Sequence, residues 1–465
     1  MVGLLTVGLV ALALPPRAAA VPDASVVARP FTWERDSLWK ALEAGLVAAR
    51  AVGCGDSAAV RRELAALHPA DTALEPLEQR FFALAPRVAA CGALVAGYVG
   101  AFAEMRAAVK RQSIAWDPNA LTTRDRLYRA LYGGRAAIEE VLLQQGSGTE
   151  PLLRGTDEPS ATPSVLTHGV TLHSGDMLVS RGGYPTSALI ARGNDYPGNF
   201  SHVALVHIDS ATRAVTVIEA HIEKGVALTT AEGYLADKKL RVMVMRPRAD
   251  LPALQRDPML PHKAATAMLE RSRSEHIPYD FAMDYVDSAK LFCSEVASQA
   301  YRTQGLDLWM GRSTISRTGL RTWLASFGVT HFETQEPSDL EYDPQLTVVA
   351  EWHDVQDLFE DHVANAVTDA MLEGAERGDA LGYSALQLPL ARVLKGYSWV
   401  RERMGGIGPI PEGMAPSAAL RNRAYGARHD AHAVEVLRLA EAWRTERGYR
   451  PPYWVLVELA RTVVR

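Results

Sequence analysis

The stretch Phe200-Ser201-His202-Val203-Ala204-Leu205-Val206-His207-Ile208, followed after a short turn by Val215-Thr216-Val217-Ile218-Glu219-Ala220, decides how this chain is read. Both halves are apolar and rich in β-branched residues, and turn residues around Asp209 to Ala211 separate them. The pattern predicts two strands of one antiparallel hairpin. If the register sets residue 202 opposite 221, alternation of period two puts His202, Glu219 and His221 on one face. A carboxylate there can orient an imidazole. A slip of one residue would destroy the alignment.

A third piece, Leu291-Phe292-Cys293-Ser294-Glu295-Val296, opens a helix expected to run to Gln304. A thiolate attacks a carbonyl efficiently when its pKa is lowered and a base is held beside it. The positive end of the helix dipole at Cys293 favours a thiolate and offers N–H groups to an oxyanion. The expectation is an activated thiol that alkylates below the pH at which an ordinary thiol of pKa about 8.5 reacts. Taken singly, each residue has an ordinary structural reading. A buried free cysteine is commonly a small core hydrophobe, and a histidine at a strand start is commonly structural. Their combination carries the weight.

Outward from these motifs the period stays at two over Asp176–Val179 and Leu240–Met245, and a helix is expected over Ala264–Arg273. The central block is therefore α+β. Residues 31–145 read as helical: one segment holds Leu38, Leu42, Leu46 and Ala49 after an Asp36-Ser37 cap, a second runs from Pro76 to about Gln112 with a bend at Pro86, and a third spans Thr123–Gln145. Residues 146–165 hold glycines, prolines and no apolar period, which predicts a linker. Glu351–Arg377 and Ala431–Arg447 read as helices around a Gly/Pro-rich interruption at 405–417. The expected organisation is a signal peptide at 1–20, a helical domain at 21–145, the linker, a catalytic domain at 166–355 and a helical region at 356–465.

The central motifs resemble those of the permuted papain-like amidases, the YiiX/YebB-like branch of the NlpC-type cysteine hydrolases. The resemblance covers about residues 168–352: the Gly175-Asp176 strand entry, the Ser201-to-Val206 histidine strand, the Val217-to-Ala220 strand, the Tyr279-Asp280 pair and the Cys293-Ser294-Glu295 helix start. In that branch the histidine precedes the cysteine, as here. The resemblance implies a circularly permuted papain-like fold with Cys293 as nucleophile, His202 as general base and acid, and Glu219 as the orienting residue. Tyr279 and Asp280 are then candidate substrate-binding residues in the wall behind the nucleophile. One departure is Phe292, where related sequences often have tyrosine. The second oxyanion donor is not identified by the sequence.

Composition bounds the alternatives. The 465 residues are 48% apolar and 22% charged, which places the chain among globular proteins long enough for two or three domains. A net charge of -5 without a basic stripe counts against nucleic-acid binding. The histidines show no zinc-ligand spacing, and no phosphate-cradling glycine loop or G-x-S-x-G elbow occurs, so neither a metal nor a cofactor is expected.

Val2 to Leu14 is an uncharged apolar run that ends before Pro15-Pro16 and Ala18-Ala19-Ala20, the pattern of a cleaved export signal too short for a stable membrane span. The protein is expected to be periplasmic or secreted. In an oxidising compartment cysteines pair, and Cys54 and Cys91 share the N-terminal helical region, so these two are expected to bridge and Cys293 to stay free. The expected activity is amide cleavage through a thioester on a cell-wall peptide, because residues 205–280 contain no long apolar segment suited to an acyl chain. The alternatives are a lipid ester hydrolase or acyltransferase of the same fold, or a non-catalytic papain-like binding module.

Overall fold

The computed structural model describes residues 29–33, 44–49, 53–67, 74–145 and 150–464. The expected signal peptide, the Asp36-Ser37 cap with Leu38 and Leu42, and residues 146–149 of the expected linker lie outside these.

The strands are β1 (Leu152–Arg154), β2 (Ser164–Thr167), β3 (Val170–His173), β4 (Met177–Gly182), β5 (His202–Ile208), β6 (Val215–His221), β7 (Gly225–Thr229), β8 (Lys239–Pro247), β9 (Ser313–Thr314), β10 (Glu333–Thr334) and β11 (Leu346–Trp352). Seven of them form one antiparallel sheet in the order β1-β11-β8-β4-β5-β6-β7. Both faces are buried, so its central strands are continuous apolar runs. Met177, Val179, Val203, Leu205, Ile218, Met243 and Met245 point to one face, against helices Leu260–Ser274 and Cys293–Arg302. Leu178, Ala204, Val206, Val217, Val242 and Val244 point to the other, covered by the β2–β3 hairpin and by Tyr234 of helix Ala231–Ala236. The 204–219 pairing belongs to the same register as 202 opposite 221.

Three expectations change. The segment expected as one bent helix from Pro76 is two helices, Leu74–Ala89 and Val95–Ser113. Pro86 is accommodated, and the break falls at Cys91, whose extended backbone (φ -144°, ψ 92°) faces the bridge to Cys54. Residues 152–154, within the expected linker, pair with 350–352 as an edge strand. Glu351 and Trp352 end strand β11 instead of starting a helix, which begins at Val355 behind the Asp354 cap.

The flanking helices pack on the central block as one core. Phe81, Phe82, Tyr128 and Leu131 from the N-terminal side, Leu358, Val363 and Val367 from helix Val355–Glu376, and Leu189, Leu320 and Trp323 of the central block share a single buried cluster. Charge also crosses these boundaries. Arg241 of β8 pairs with Glu139 of helix Gly134–Leu143 and with Asp361 of helix Val355–Glu376. Asp361 also pairs with Arg181 of β4 at 3.0 Å, and His362 Nε2 lies 2.9 Å from Glu139. Arg135 reaches Glu341 and Glu351, and Glu351 also receives Arg106.

Burial alone would raise these carboxyls, but the arginines win: Glu351 falls to about 2, and Arg241 with His362 holds Glu139 well below the usual range. Groups depressed in the folded state contribute stability that is present above their unfolded value near 4.5 and is lost as pH falls through the folded one. Arg241→Leu leaves Glu139 and Asp361 short of a cation and is expected to cost about 3–5 kcal/mol in urea unfolding at neutral pH. A loss below about 1 kcal/mol would show that the network is dispensable.

Candidate active site

His202 is the first residue of β5 and Glu219 lies near the end of β6, so the hairpin register brings them together. His202 Nε2 is 2.7 Å from Glu219 Oε2, and His221 Nε2 is 3.1 Å from Oε1 of the same carboxylate. Glu219 is 1% exposed. Burial pushes its pKa up, yet hydrogen bonds and charge from the two histidines hold it well below the usual carboxylate range.

Cys293 approaches from the other side of the sheet. Its helix packs on the face opposite Glu219, and its N-terminus reaches the sheet where β5 begins. The sulfur lies 3.9 Å from the Ser201 carbonyl and also meets the Val203 N–H, the backbone on either side of His202. The site therefore straddles the end of the sheet.

The helix start is built without a polar side chain at the cap. Phe292 is extended there, and its N–H donates to the Glu295 carboxyl at 2.9 Å, one half of a capping box. Burial, reinforced by Asp280, Asp284 and Asp287, raises Glu295 to about 9 against the Phe292 N–H, so it is protonated at neutral pH. Burial likewise pushes the Cys293 thiol up to about 12; Glu336 adds to this, while Val203 and Ser294 partly offset it. The expected thiolate is not the resting state. Desolvation outweighs the helix terminus because Cys293 is enclosed, at 4% exposure.

The remaining expected residues separate. Tyr279 stands beside Cys293: burial raises its hydroxyl far above the usual value, Cys293 adds to the shift, and its ring meets Phe281 edge-on at 5.1 Å. Asp280 turns away. Its two oxygens accept from the Ala282 and Asp284 N–H groups at 2.9 and 2.6 Å, so it builds the 280–290 loop instead of facing a substrate.

Three neighbours were not selected from the sequence. His221 was visible as an alternative on the same face. Tyr234 and Glu336 come from distant segments with no local signal; Glu336 is buried, and its carboxyl is raised well above the usual range by burial and by Asp339. Among the described residues no cluster of three His, Cys, Asp or Glu side chains is arranged to hold a metal ion.

An apolar cavity of about 590 Å³ lies on the Glu219 face of the sheet, lined by Leu172, Leu178, Val217, Tyr234, Val242 and Trp352 among others. Val217 is two residues before Glu219, and Leu178 pairs with Ala204, two residues after His202. The cavity begins roughly 7 Å along the strands from the histidine–carboxylate pair.

A histidine held by a carboxylate, with a cysteine at a helix start set against the backbone on either side of that histidine, is the residue set expected of a papain-like cysteine hydrolase. Residues 171–350 match the family of permuted papain-like amidase enzymes, YaeF/YiiX, C92 family. The chain is also similar to a solved structure, that of metalloprotein yiiX from Escherichia coli O157:H7, at 19% identity over 39% of this chain and 98% of that one, with a TM-score of 0.32. No curated protein matches the chain.

With Cys54 and Cys91 bridged, alkylation of the unreduced protein is expected to label Cys293 alone. Because its thiol lies near 12, the rate with iodoacetamide should keep rising through pH 7–10 without a plateau. A plateau near pH 8, followed by mass spectrometry of the labelled peptide, would show a thiolate already formed in the resting protein.

Proposed function

We propose that this protein is an exported cysteine hydrolase that cleaves an amide bond of a cell-envelope peptide through a thioester. The observation that carries this reading is the His202–Glu219 pair at 2.7 Å, with the Cys293 sulfur held against the backbone on both sides of His202. With Nε2 engaged by Glu219, Nδ1 is the ring nitrogen left to take the thiol proton as sulfur attacks the carbonyl carbon. The developing oxyanion falls at the start of the Cys293 helix, where the Cys293 N–H has no partner within the helix. His202 then gives its proton to the leaving amine. After the amine departs, His202 takes a proton from water, whose oxygen attacks the thioester carbonyl; the acyl–sulfur bond breaks, His202 returns the proton to the departing sulfur, and a carboxylic acid and the free thiol result.

Glu219 stays ionised and keeps the ring in place, as its depressed pKa implies. Export rests on the apolar Val2–Leu14 run with its Ala18-Ala19-Ala20 end, and the Cys54–Cys91 bridge fits an oxidising compartment.

One observation favours a second reading, ester cleavage or acyl transfer on a lipid. The apolar cavity beside the histidine–carboxylate pair has the lining an acyl chain needs, although no long apolar segment supplies it. It is assembled from separate strands, a helix and a hairpin.

Purified protein and a Cys293→Ala control, incubated with peptidoglycan fragments and with phospholipid vesicles, separate the readings. Cysteine-dependent release of free amine is the expected result, and Glu219→Gln should lower that rate about 100-fold or more while the protein stays folded. Release of fatty acid alone transfers the function to the second reading. Equal activity in the Cys293→Ala protein removes both.

A further inference from the structure

Helix Leu388–Arg403 shows the fold only a narrow stripe: Ala391 and Ser398 are its buried residues. On the opposite side Leu386, Leu390, Val393, Tyr397, Val400 and Met404 follow one another at spacings of four and three, and all are exposed, from 45% at Val400 to 91% at Leu386. That is an amphipathic helix turned inside out, with its apolar face outward.

The charges beside this face are of one sign. Between residues 385 and 410 the chain carries Arg392, Lys395, Arg401 and Arg403 against a single acid, Glu402, whereas the whole chain is net -5. Lys395 is used internally, donating to the Pro411 carbonyl. The arginines stay at the surface with aromatic neighbours: Arg403 lies 3.8 Å over the Trp399 ring, and Arg401 donates to the Tyr397 hydroxyl at 3.3 Å. Apolar residues flanked by arginine, tryptophan and tyrosine have the composition of a lipid–water boundary.

The chain that follows the helix runs to the catalytic rim. Ile410 and Met414 pack with Ala391 and Ala418 against Phe281 and Ile222. Phe281 meets Tyr279, Ile222 follows His221, and Glu412 pairs with His276 at 2.7 Å.

We propose that the outward face of helix Leu388–Arg403 docks the protein on an anionic lipid bilayer, with the apolar row at the headgroup–acyl boundary and the arginines on lipid phosphates. The docking holds the rim of the candidate active site behind this helix, one helix diameter, about 10 Å, from the membrane surface. A second copy of this chain fits the face less well, because it would set arginine against arginine, while anionic headgroups neutralise all three exposed ones. No helix among the described residues is long and apolar enough to cross a membrane, so the helix lies on the bilayer. The inference rests on this face alone and is independent of which bond the enzyme cleaves.

Co-sedimentation of the full chain with vesicles of phosphatidylcholine, with and without phosphatidylglycerol, tests it. Binding is expected to the phosphatidylglycerol vesicles and to weaken in high salt. Val393→Glu with Val400→Glu should lower partitioning at least about tenfold with an unchanged circular dichroism spectrum. Replacing Arg392, Arg401 and Arg403 by Gln should lower it about fivefold per arginine. Absence of binding, or binding that survives both sets of substitutions, overturns the proposal. A lipid-free dimer in sedimentation velocity that the Val393/Val400 variant dissociates also overturns it, in favour of self-association.

Discussion

Arg181 and Arg241 stand directly opposite each other on strands β4 and β8, both buried. Two like charges in that position would push the strands apart. Asp361 lies between them and pairs with both, while Glu139 takes the remaining demand of Arg241. Neither carboxylate belongs to the sheet: Glu139 comes from the N-terminal helices and Asp361 from the C-terminal ones. The centre of the sheet is thus electrostatically complete only when both flanks are docked. The 171–350 domain of this chain depends on its surroundings in a way that no account of the domain alone would contain.

That dependence reaches the candidate site through one residue. Ser180, next to Arg181 on β4, is the register partner of His202. Anchoring Arg181 on Asp361 fixes the end of β4, and β4 fixes where β5 starts. Glu219 in turn holds the imidazole from β6. The position of His202 is set by backbone pairing on one side and by a charged hydrogen bond on the other, so its geometry requires both the sheet and the flanking helices.

What the sequence revealed follows the range of the interactions involved. Strands β4, β5, β6 and β8 and the Cys293 helix were legible because short β-rich apolar runs and a helix start are local signals, although burial on both faces makes those runs continuous where a period of two was expected. The hairpin register stays conditional in the sequence, where a slip of one residue is open; the pairing of Ala204 with Glu219 fixes it, and the His202–Glu219 contact follows. Strand β11 was not picked out, and its last residues were assigned to a helix, because Glu351 and Trp352 run directly into a helical pattern while their strand state comes from pairing with β8 and β1. The ionic network joins residues more than 100 positions apart, which no local pattern encodes. The Cys293 thiol was misjudged for the same reason: a helix start is visible in sequence, but the burial that desolvates it, to which Glu336 adds, comes from tertiary packing.

A buried thiol near 12 is compatible with a working nucleophile if its proton leaves only during attack. With Glu295 protonated, the one nearby carboxylate that is strongly held in its ionised form is Glu219, and both of its oxygens already face histidines. Charge at the sulfur is therefore unfavourable until a carbonyl arrives and carries it away to the helix terminus. Such a site spends little time as a free thiolate, the species most open to oxidation. The same enclosure that raises the resting thiol would strengthen hydrogen bonds to an oxyanion at the proposed site, because a drier site screens them less. Raised thiol pKa and oxyanion stabilisation are then two consequences of one property, the exclusion of water where the Cys293 helix meets the start of β5.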